Sequence, residues 1–204
     1  SVAMVVMHGA GYLATRIEAG PVLDRARRLG TLAALASLAL FALGGAWVAF
    51  GTMGFRLEGV VDPAGPSNPL YVRSVAAPGA WLDNYGRHGW MMIAPLLGLA
   101  GPLAALAGIR ARSAALHLAG SAAATVGIIA TVGLSMFPFI LPSSLDAQSS
   151  LTVWNASSSH LTLWIMLLAT LVLLPLVLAY TAWAVKVMFG RVTLADVRTN
   201  PDFY

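Results

Sequence analysis

Charged residues are scarce in this sequence. Asp, Glu, Lys and Arg make up 10% of the 204 residues, whereas 58% of the residues are hydrophobic, and the mean hydropathy is +0.79. Soluble domains carry about 25% charged residues. Four stretches run for at least 20 residues without a charged side chain, which is the length that crosses a bilayer as a helix. The composition therefore excludes an ordinary soluble domain and indicates an integral membrane protein.

Cysteine is absent, which excludes disulfides, thiolate metal sites and a cysteine nucleophile. The sequence also lacks nucleophile motifs, glycine-rich phosphate loops and dinucleotide fingerprints. No Asp, Glu, Lys or Arg lies deep in a complete apolar segment, although a proton pump or an ion-coupled transporter is expected to have at least one such residue. A transporter or channel component is therefore the alternative function and not the favoured one.

Five apolar segments predict the fold, which we expect to be all-α: a polytopic transmembrane helical bundle forming a single membrane domain over residues 1–204. The segments are 1–13, 31–51, 89–109, 114–141 and 161–185, with external loops at 52–88 and 142–160. Thirteen helical residues reach about 20 Å, whereas the hydrocarbon layer is about 30 Å thick. We therefore expect segment 1–13 to be the tail of a helix that starts upstream, and the chain to be a piece of a longer protein.

Basic residues predict the orientation of the bundle. The net charge is +4, but nine of the 12 Lys and Arg residues lie in segment 14–30, turn 110–113 and the C-terminal tail. The other three lie in loop 52–88. This bias predicts a cytoplasmic C-terminus. Because the basic residues form short clusters between apolar segments, we interpret them as a topology signal and expect no nucleic-acid partner.

Small residues and prolines predict how the helices pack. Pairs of small residues four positions apart let helix backbones approach closely in lipid, and they occur at Ala94/Gly98, Ala104/Gly108, Gly120/Ala124 and Ala123/Gly127. The four-residue turn 110–113 predicts that the third and fourth segments form an antiparallel hairpin. Prolines within the segments favour kinks, and they are Pro95, Pro102, Pro138 and Pro175.

Histidines are the candidate ligands for a cofactor, because a haem iron is commonly held by a histidine inside a helix. His8 lies in the first segment and His117 begins the fourth near Arg112, whereas His88 and His160 stand at helix starts. We interpret each of them as an interfacial or hydrogen-bonded histidine in preference to a ligand. None of them forms a metal-ligand pair at i and i+4, so we predict no metal site and no catalytic residue. The candidates for cofactor contact are His8, Trp154 and His160. Asp146 is an alternative proton-entry or quinone group in loop 142–160.

Several short motifs are ordered along the chain in a way that resembles one family. Residues 136–144 read MFPFILPSS, residues 150–158 read SLTVWNASS, and LTL and YTAW follow at 161–163 and 180–183. Upstream stand GAWLDN at 79–84, SNPL at 67–70 and SVAMVVMHGAGYL at 1–13. The set is similar to the C-terminal half of subunit II of cytochrome bd-type quinol oxidases, and the resemblance covers essentially the whole chain. Asn155 departs from the pattern of this family, in which an aspartate is common at the same position.

This resemblance implies the last five helices of a nine-helix subunit with an internal C-terminus in the bacterial inner membrane. It also implies that haem b and haem d belong to a haem-bearing subunit I. This chain would then be a haem-free subunit that supports assembly and quinone, oxygen or proton access in aerobic respiration. Further implied partners are a small accessory membrane subunit, membrane lipid and a structural quinone. A pure scaffold with no redox partner is a third hypothesis, which quinol-driven oxygen consumption by the complex would distinguish.

Overall fold

A computed structural model describes residues 1–59 and 73–187. The helices are α1 (Val2–Arg16), α2 (Pro21–Phe50), α3 (Asp83–Arg87), α4 (Ile93–Arg110), α5 (Ala114–Met136) and α6 (His160–Val187), and the strands are β1 (Met53–Glu58), β2 (Arg73–Pro78), β3 (Phe139–Leu141) and β4 (Leu151–Thr152). Single 3-10 turns occupy Ala80–Leu82, Gly89–Met92 and Ala147–Ser149. The SNPL motif, Asp62, three loop prolines and the basic residues Arg191 and Arg198 lie outside the described residues.

Long apolar helices dominate the described part of the chain. Within it, four helical stretches are long and apolar enough to cross a membrane, namely Pro21–Phe50, Gly89–Arg110, Ala114–Met136 and His160–Val187. This confirms the predicted helical membrane bundle. The mean hydropathy of α6 reaches 2.6 and none of its described residues is buried, so its surface is suited to lipid or to another apolar helix.

Two helix boundaries differ from the predicted segments by five residues or more. Helix α2 begins at Pro21 and not at residue 31, because proline is favoured in the first helical turn and the charged turns that follow remain helical outside hydrocarbon. Helix α5 ends at Met136 and not at residue 141. The apolar sequence continues, but Pro138 lacks a backbone N–H and disfavours the helical conformation of the residue before it, and Phe139–Leu141 form β3.

The prolines fall into three structural settings. Pro102 and Pro175 lie inside α4 and α6, as predicted. Pro95 stands in the first turn of α4, where a missing N–H removes no intrahelical hydrogen bond. Pro138 lies beyond the end of α5, so the prediction of a proline within that helix was wrong.

Residue contacts divide the described chain into two units. The helical unit contains Ser1–Thr52 and Trp81–Ser135, and the hairpin unit contains the described residues of Met53–Ala80 and Met136–Gly190. In the hairpin unit, β1 and β2 pair antiparallel from Met53 opposite Pro78 to Glu58 opposite Arg73. Strands β3 and β4 form a second antiparallel pair. Ser74 joins the two segments of this unit, because its Oγ donates to the Ala147 carbonyl and its N–H to the Gln148 side chain.

The core of the helical unit is built from small side chains. Ala33, Ala34, Ala105 and Ala124 are buried together with Met7 and Leu106. The backbones of α4 and α5 also touch at four positions, which we call the glycine seam. A Cβ would lie 2.3 Å from Ala124 N at Gly101, 2.4 Å from Ala105 N at Gly120, 2.3 Å from Gly98 N at Gly127 and 2.3 Å from His117 N at Gly108.

The spacing of the seam confirms the antiparallel hairpin of α4 and α5. The contact positions along α4 are Gly98, Gly101, Ala105 and Gly108. Their partners along α5 run in the opposite direction, from Gly127 to His117, with the same spacings of three, four and three residues. Alternating steps of three and four residues keep one side of a helix facing its partner. Since no side chain separates the backbones, close approach of small residues holds this pair together.

A tight turn closes the hairpin. The Ser113 N–H donates to the Gly108 carbonyl at 2.9 Å and the Arg112 N–H to the Ile109 carbonyl at 3.2 Å, which is the Schellman pattern of a helix C-terminus. Arg112 has a φ of 54°. That left-handed conformation is usually taken by glycine, which has no Cβ to clash with the following carbonyl.

Candidate functional site

His8 and Ser121 form a polar contact between α1 and α5 in the helical unit. His8 lies on α1 and its Nδ1 is 2.9 Å from the Oγ of Ser121 on α5. The Ser121 hydroxyl donates to the Leu118 carbonyl at 2.8 Å, and a hydroxyl has one proton. Ser121 Oγ therefore accepts from His8, which fixes the proton of His8 on Nδ1. Ser121 is fully buried, whereas the His8 side chain is exposed.

His117 is the most enclosed ionisable side chain in the helical unit. Its relative exposure is 1%, and the ring lies between two glycines. A Cβ at Gly30 would be 3.2 Å from the ring Cε1, and a Cβ at Gly11 would be 3.4 Å from Cδ2. The ring also makes a backbone hydrogen bond at Met7. Its Nε2 has no hydrogen-bond partner among the described residues, which is unusual for a buried polar atom.

A small pocket opens beside His117 at the end of the helices, and we call it the end pocket. Arg27 of α2, Arg112 of the α4–α5 turn and Ala114 at the start of α5 line it together with His117. Its floor has space for about one water molecule. The pocket thus places two arginines beside His117, whose Nε2 has almost no accessible surface.

The other two sequence candidates lie in the hairpin unit. The Trp154 ring meets Phe137 edge-on, with centroids 6.4 Å apart at 74°. His160 is the exposed first residue of α6, and the preceding Ser159 caps that helix by accepting from the Thr162 N–H at 3.4 Å. His8 thus lies in the helical unit, whereas Trp154 and His160 lie in the hairpin unit. The three side chains have different neighbours.

Asn155 is the buried polar centre of the hairpin unit. Its Oδ1 accepts from the Thr152 N–H at 2.7 Å and from the Thr152 Oγ1 at 3.0 Å. Its Nδ2 reaches the Ser150 carbonyl at 3.5 Å. Ser150 Oγ in turn accepts from the Ser143 N–H at 3.0 Å. We call these four residues the polar knot. Every one of these bonds is local, so the knot fixes the course of the 142–159 segment.

Asp146 accepts hydrogen bonds from neighbouring residues of this segment. Its two carboxylate oxygens accept from the Gln148 N–H at 3.1 Å and the Ser149 Oγ at 3.2 Å, so it caps the 3-10 turn. Within residues 1–59 and 73–187, no group of three or more His, Asp or Glu side chains is arranged to hold a metal ion.

Sequence reasoning missed the burial of His117. From its position near Arg112, we expected an interfacial histidine. The sequence signal lies in three distant glycines, Gly11, Gly30 and Gly108, which provide space for the ring and its backbone. These glycines stand on three different helices, so only the packing of those helices reveals their common neighbour.

Removing either partner of the His8–Ser121 contact is expected to destabilise the helical unit. Intramembrane hydrogen bonds contribute about 0.6 kcal/mol on average, so we expect a coupling energy of that order in a double-mutant cycle of His8→Ala and Ser121→Ala. Thermal unfolding of the complete subunit in detergent measures it. His160→Ala is the matched control, because that histidine is exposed. Strictly additive effects of His8→Ala and Ser121→Ala would contradict the contact.

Comparison with known proteins identifies relatives over nearly the whole chain. Residues 1–188 match the family described as cytochrome bd terminal oxidase subunit II. Cytochrome bd-I ubiquinol oxidase subunit 2 of Escherichia coli strain K12 is 40% identical over 200 residues, which are 98% of this chain and 52% of that protein. The probable cytochrome oxidase subunit 2 of Haemophilus influenzae is 33% identical with the same coverage.

A shorter match agrees with these two. Cytochrome bd ubiquinol oxidase subunit 2 of Bacillus subtilis is 41% identical over 76 residues, which are 36% of this chain and 22% of that protein. The chain spans about half the length of the Escherichia coli and Haemophilus influenzae relatives. With its long apolar helices it is a multi-pass membrane protein, and the chain belongs to the cytochrome bd terminal oxidase subunit II family.

Proposed function

We propose that the chain is part of a haem-free membrane subunit of a cytochrome bd-type quinol:oxygen oxidoreductase in the bacterial inner membrane. In this proposal it supports the assembly of a haem-bearing subunit I, which holds haem b and haem d. The family match over residues 1–188 supports the membership in an oxidase. The enclosure of His117 supports the haem-free part of the proposal.

His117 does not fit a haem ligand, because its ring lies at van der Waals distance from positions Gly11 and Gly30 and its Nε2 has almost no accessible surface, which leaves no room for a macrocycle. His8 donates from Nδ1 to Ser121, a contact that is compatible with ligation through Nε2, so His8 is the histidine that the spectrum below tests. A haem site needs a histidine nitrogen that faces a cavity for the porphyrin. We therefore route no redox step through this chain.

The exposed apolar surface supports a role in assembly. No described residue of α6 is buried, and large apolar side chains such as Leu171, Leu176 and Val172 are more than half exposed. In a bilayer such a surface contacts either lipid or a neighbouring helix. We propose that this exposed apolar surface contacts subunit I, a small accessory subunit, membrane lipid and a structural quinone. The C-terminus is proposed to be cytoplasmic.

A transporter or channel component is the alternative. Its path would need polar side chains that face a common passage. The threonine hydroxyls of α5 instead bond their own helix, because Thr125 donates to the Ser121 carbonyl at 3.0 Å and Thr131 to the Gly127 carbonyl at 2.6 Å. Such internal bonds satisfy a hydroxyl without a neighbour. This arrangement favours the oxidase subunit over a transporter.

A reduced-minus-oxidised visible spectrum tests the proposal. The complete subunit would be purified in mild detergent alone, and also after co-expression with a haem-bearing subunit I. We expect no haem bands alone, and b- and d-type bands with quinol-driven oxygen consumption after co-purification. His8→Gln should leave the positions of these bands unchanged, because His8 is not a ligand in this proposal.

Three outcomes would count against the proposal. Haem bound to the subunit alone would overturn its haem-free character and direct attention to His8. Co-purification with a partner that gives neither haem bands nor quinol-driven oxygen consumption would favour the scaffold hypothesis. Purification of a folded subunit that never associates with the partner would favour the transporter.

A further inference from the structure

We infer that the exposed side of α1 around His8 packs against another helix of the complete subunit, and that this helix donates a hydrogen bond to the His8 Nε2. The side consists of Val5, His8, Gly9 and Tyr12, and we call it the α1 face. Steps of three and four residues place these positions on one side of a helix. The inference does not depend on the proposed oxidase role, because its test measures a contact between helices and no turnover.

The α1 face is left uncovered by residues 1–59 and 73–187. Val5 is 72% exposed and Tyr12 is 48% exposed, and His8 is also exposed. A Cβ at Gly9 would meet nothing within 4 Å. The buried residues of α1 are instead Met7, Ala10 and Gly11. One side of α1 therefore packs within the helical unit, and the other side remains for a neighbour.

His8 lies at a depth where water is not available. It stands about two turns before Arg16, the last residue of α1, which is about 12 Å along a helix. Its partner Ser121 stands about two turns after Ala114, the first residue of α5, which is about 10 Å. Since half of the hydrocarbon layer is about 15 Å thick, both distances put the imidazole inside this layer.

The position of the imidazole proton determines what the neighbour must offer. The Ser121 hydroxyl gives its proton to the Leu118 carbonyl, so Ser121 Oγ accepts from the His8 Nδ1. A neutral imidazole has one N–H and one acceptor nitrogen, which leaves Nε2 as the acceptor. The contact with Ser121 is the only hydrogen bond of His8 within the described part of the chain. The neighbour must therefore present a donor, such as a hydroxyl, an amide or an indole N–H.

A helix meets these requirements and a lipid chain does not. Lipid chains carry no hydrogen-bond donor, and an unpaired polar atom in hydrocarbon is costly. Ionisable side chains within a membrane accordingly face other protein segments and pair with polar groups there. Gly9 lies beside His8 and has no side chain, so the backbone of a second helix can approach closely at this position.

The length of the relatives points to the complete subunit as the source of this helix. The 200 matched residues are 52% of the Escherichia coli and Haemophilus influenzae relatives, so about half of each lies outside the match. A helix from that part is tethered to α1 by the chain, which raises its effective concentration above that of a separate protein. We therefore assign the donor to the part of the complete subunit that this chain does not cover.

Spin labelling of Val5→Cys tests the contact. This chain has no cysteine, so the variant provides one labelling site once any cysteines elsewhere in the complete subunit have been replaced by serine. The labelled subunit would be placed in lipid nanodiscs, alone and in complex with subunit I. The collision rate of the nitroxide with oxygen would then be measured by electron paramagnetic resonance.

We expect the label at residue 5 to be shielded from oxygen in the subunit alone. A phospholipid that carries the nitroxide in the middle of its acyl chain gives the collision rate for full lipid contact. The rate at residue 5 should be clearly below that value, because the neighbouring helix excludes lipid from the α1 face. Thermal unfolding of the unlabelled Val5→Cys variant checks that it is folded.

Two amide variants of His8 separate the roles of its two nitrogens. An asparagine amide takes the place of Nδ1 and keeps the bond to Ser121, whereas a glutamine reaches the place of Nε2 and offers an acceptor oxygen there. We expect His8→Asn to lower the melting temperature of the complete subunit by about 1–2 °C, the effect of one intramembrane hydrogen bond. Adding Ser121→Ala should lower it further in His8→Asn but not in His8→Gln. His160→Asn is the matched control, because His160 is exposed at the start of α6.

The outcomes separate the possible neighbours of the α1 face. A shielded label in the subunit alone, together with the loss in His8→Asn, supports the inference. A label in full lipid contact in both samples would show a lipid-facing surface and would overturn it. Shielding that appears only with subunit I, or only in dimers of the subunit, would overturn the choice of neighbour. An unchanged melting temperature in His8→Asn would overturn the hydrogen bond to Nε2.

Discussion

Adding one methyl group at Gly101 or Gly127 is expected to force α4 away from α5. A Cβ at either position would lie 2.3 Å from a backbone nitrogen of the partner helix. Backbone atoms cannot rotate aside as side chains do, so the helices themselves must separate. Overpacking in a close-packed core costs about 1–3 kcal/mol and at times more. We therefore expect Gly101→Ala and Gly127→Ala to lower the melting temperature of the complete subunit and its yield in detergent.

Gly133 provides the matched control on the same helix. A Cβ there would meet nothing within 4 Å, so Gly133→Ala removes a flexible residue without any clash. Alanine is favoured over glycine inside a helix by about 1 kcal/mol. Gly133→Ala should therefore leave the melting temperature unchanged or raise it. Fluorescence-detected size-exclusion after heating measures all three variants. Equal behaviour of Gly127→Ala and Gly133→Ala would show that the helices are not in backbone contact.

The glycine seam shows how far the sequence predicts helix packing. Small pairs at four-residue spacing correctly indicated that Gly98, Gly108, Gly120 and Gly127 bring helices together. They did not indicate that the contact alternates steps of three and four residues, which adds Gly101 and Ala105. The helical period and the antiparallel turn together determine which residues of the two helices face each other. Those residues can be identified only once both helices have been positioned.

The ends of the helices were less predictable than their existence. Hydropathy marks the part of a helix that lies in hydrocarbon, so it underestimated α2 by the ten residues from Pro21 to Gly30. It also extended α5 through Phe139, because an apolar strand and an apolar helix have similar composition. The backbone restriction at Pro138 was the available signal for the end of α5.

The candidate site was predicted only in part. The sequence singled out His8, and the structure pairs it with Ser121 of α5, a residue 113 positions away. His117 was regarded as interfacial, and its burial depends on glycines from three other helices. Burial of one ring by residues from several helices leaves no periodic pattern in a sequence, whereas an amphipathic helix face does leave one.

Replacement of Asn155 by alanine is expected to cause the largest loss of stability in the hairpin unit. Asn155 and Thr152 are both buried, and the Asn155 Oδ1 is the acceptor of the Thr152 N–H at 2.7 Å and of its hydroxyl at 3.0 Å. Alanine would leave both donors buried without that acceptor. An unsatisfied buried donor costs about 1–3 kcal/mol. The measurements are thermal unfolding of the complete subunit and hydrogen exchange at the Thr152 amide, which should become faster.

Asn155→Asp distinguishes the lost acceptor from the lost volume. A carboxylate keeps both bonds from Thr152 and gives up only the donation to the Ser150 carbonyl, whose length of 3.5 Å makes it the weakest bond of the knot. We therefore expect Asn155→Asp to stay closer to the unmodified protein than Asn155→Ala in amide exchange at Thr152. Ser158→Ala controls for loop substitution, because Ser158 is exposed in the same segment. If Asn155→Asp exchanged as fast as Asn155→Ala, the accepting oxygen would not be what holds the knot, and packing of the side chain would have to explain its burial.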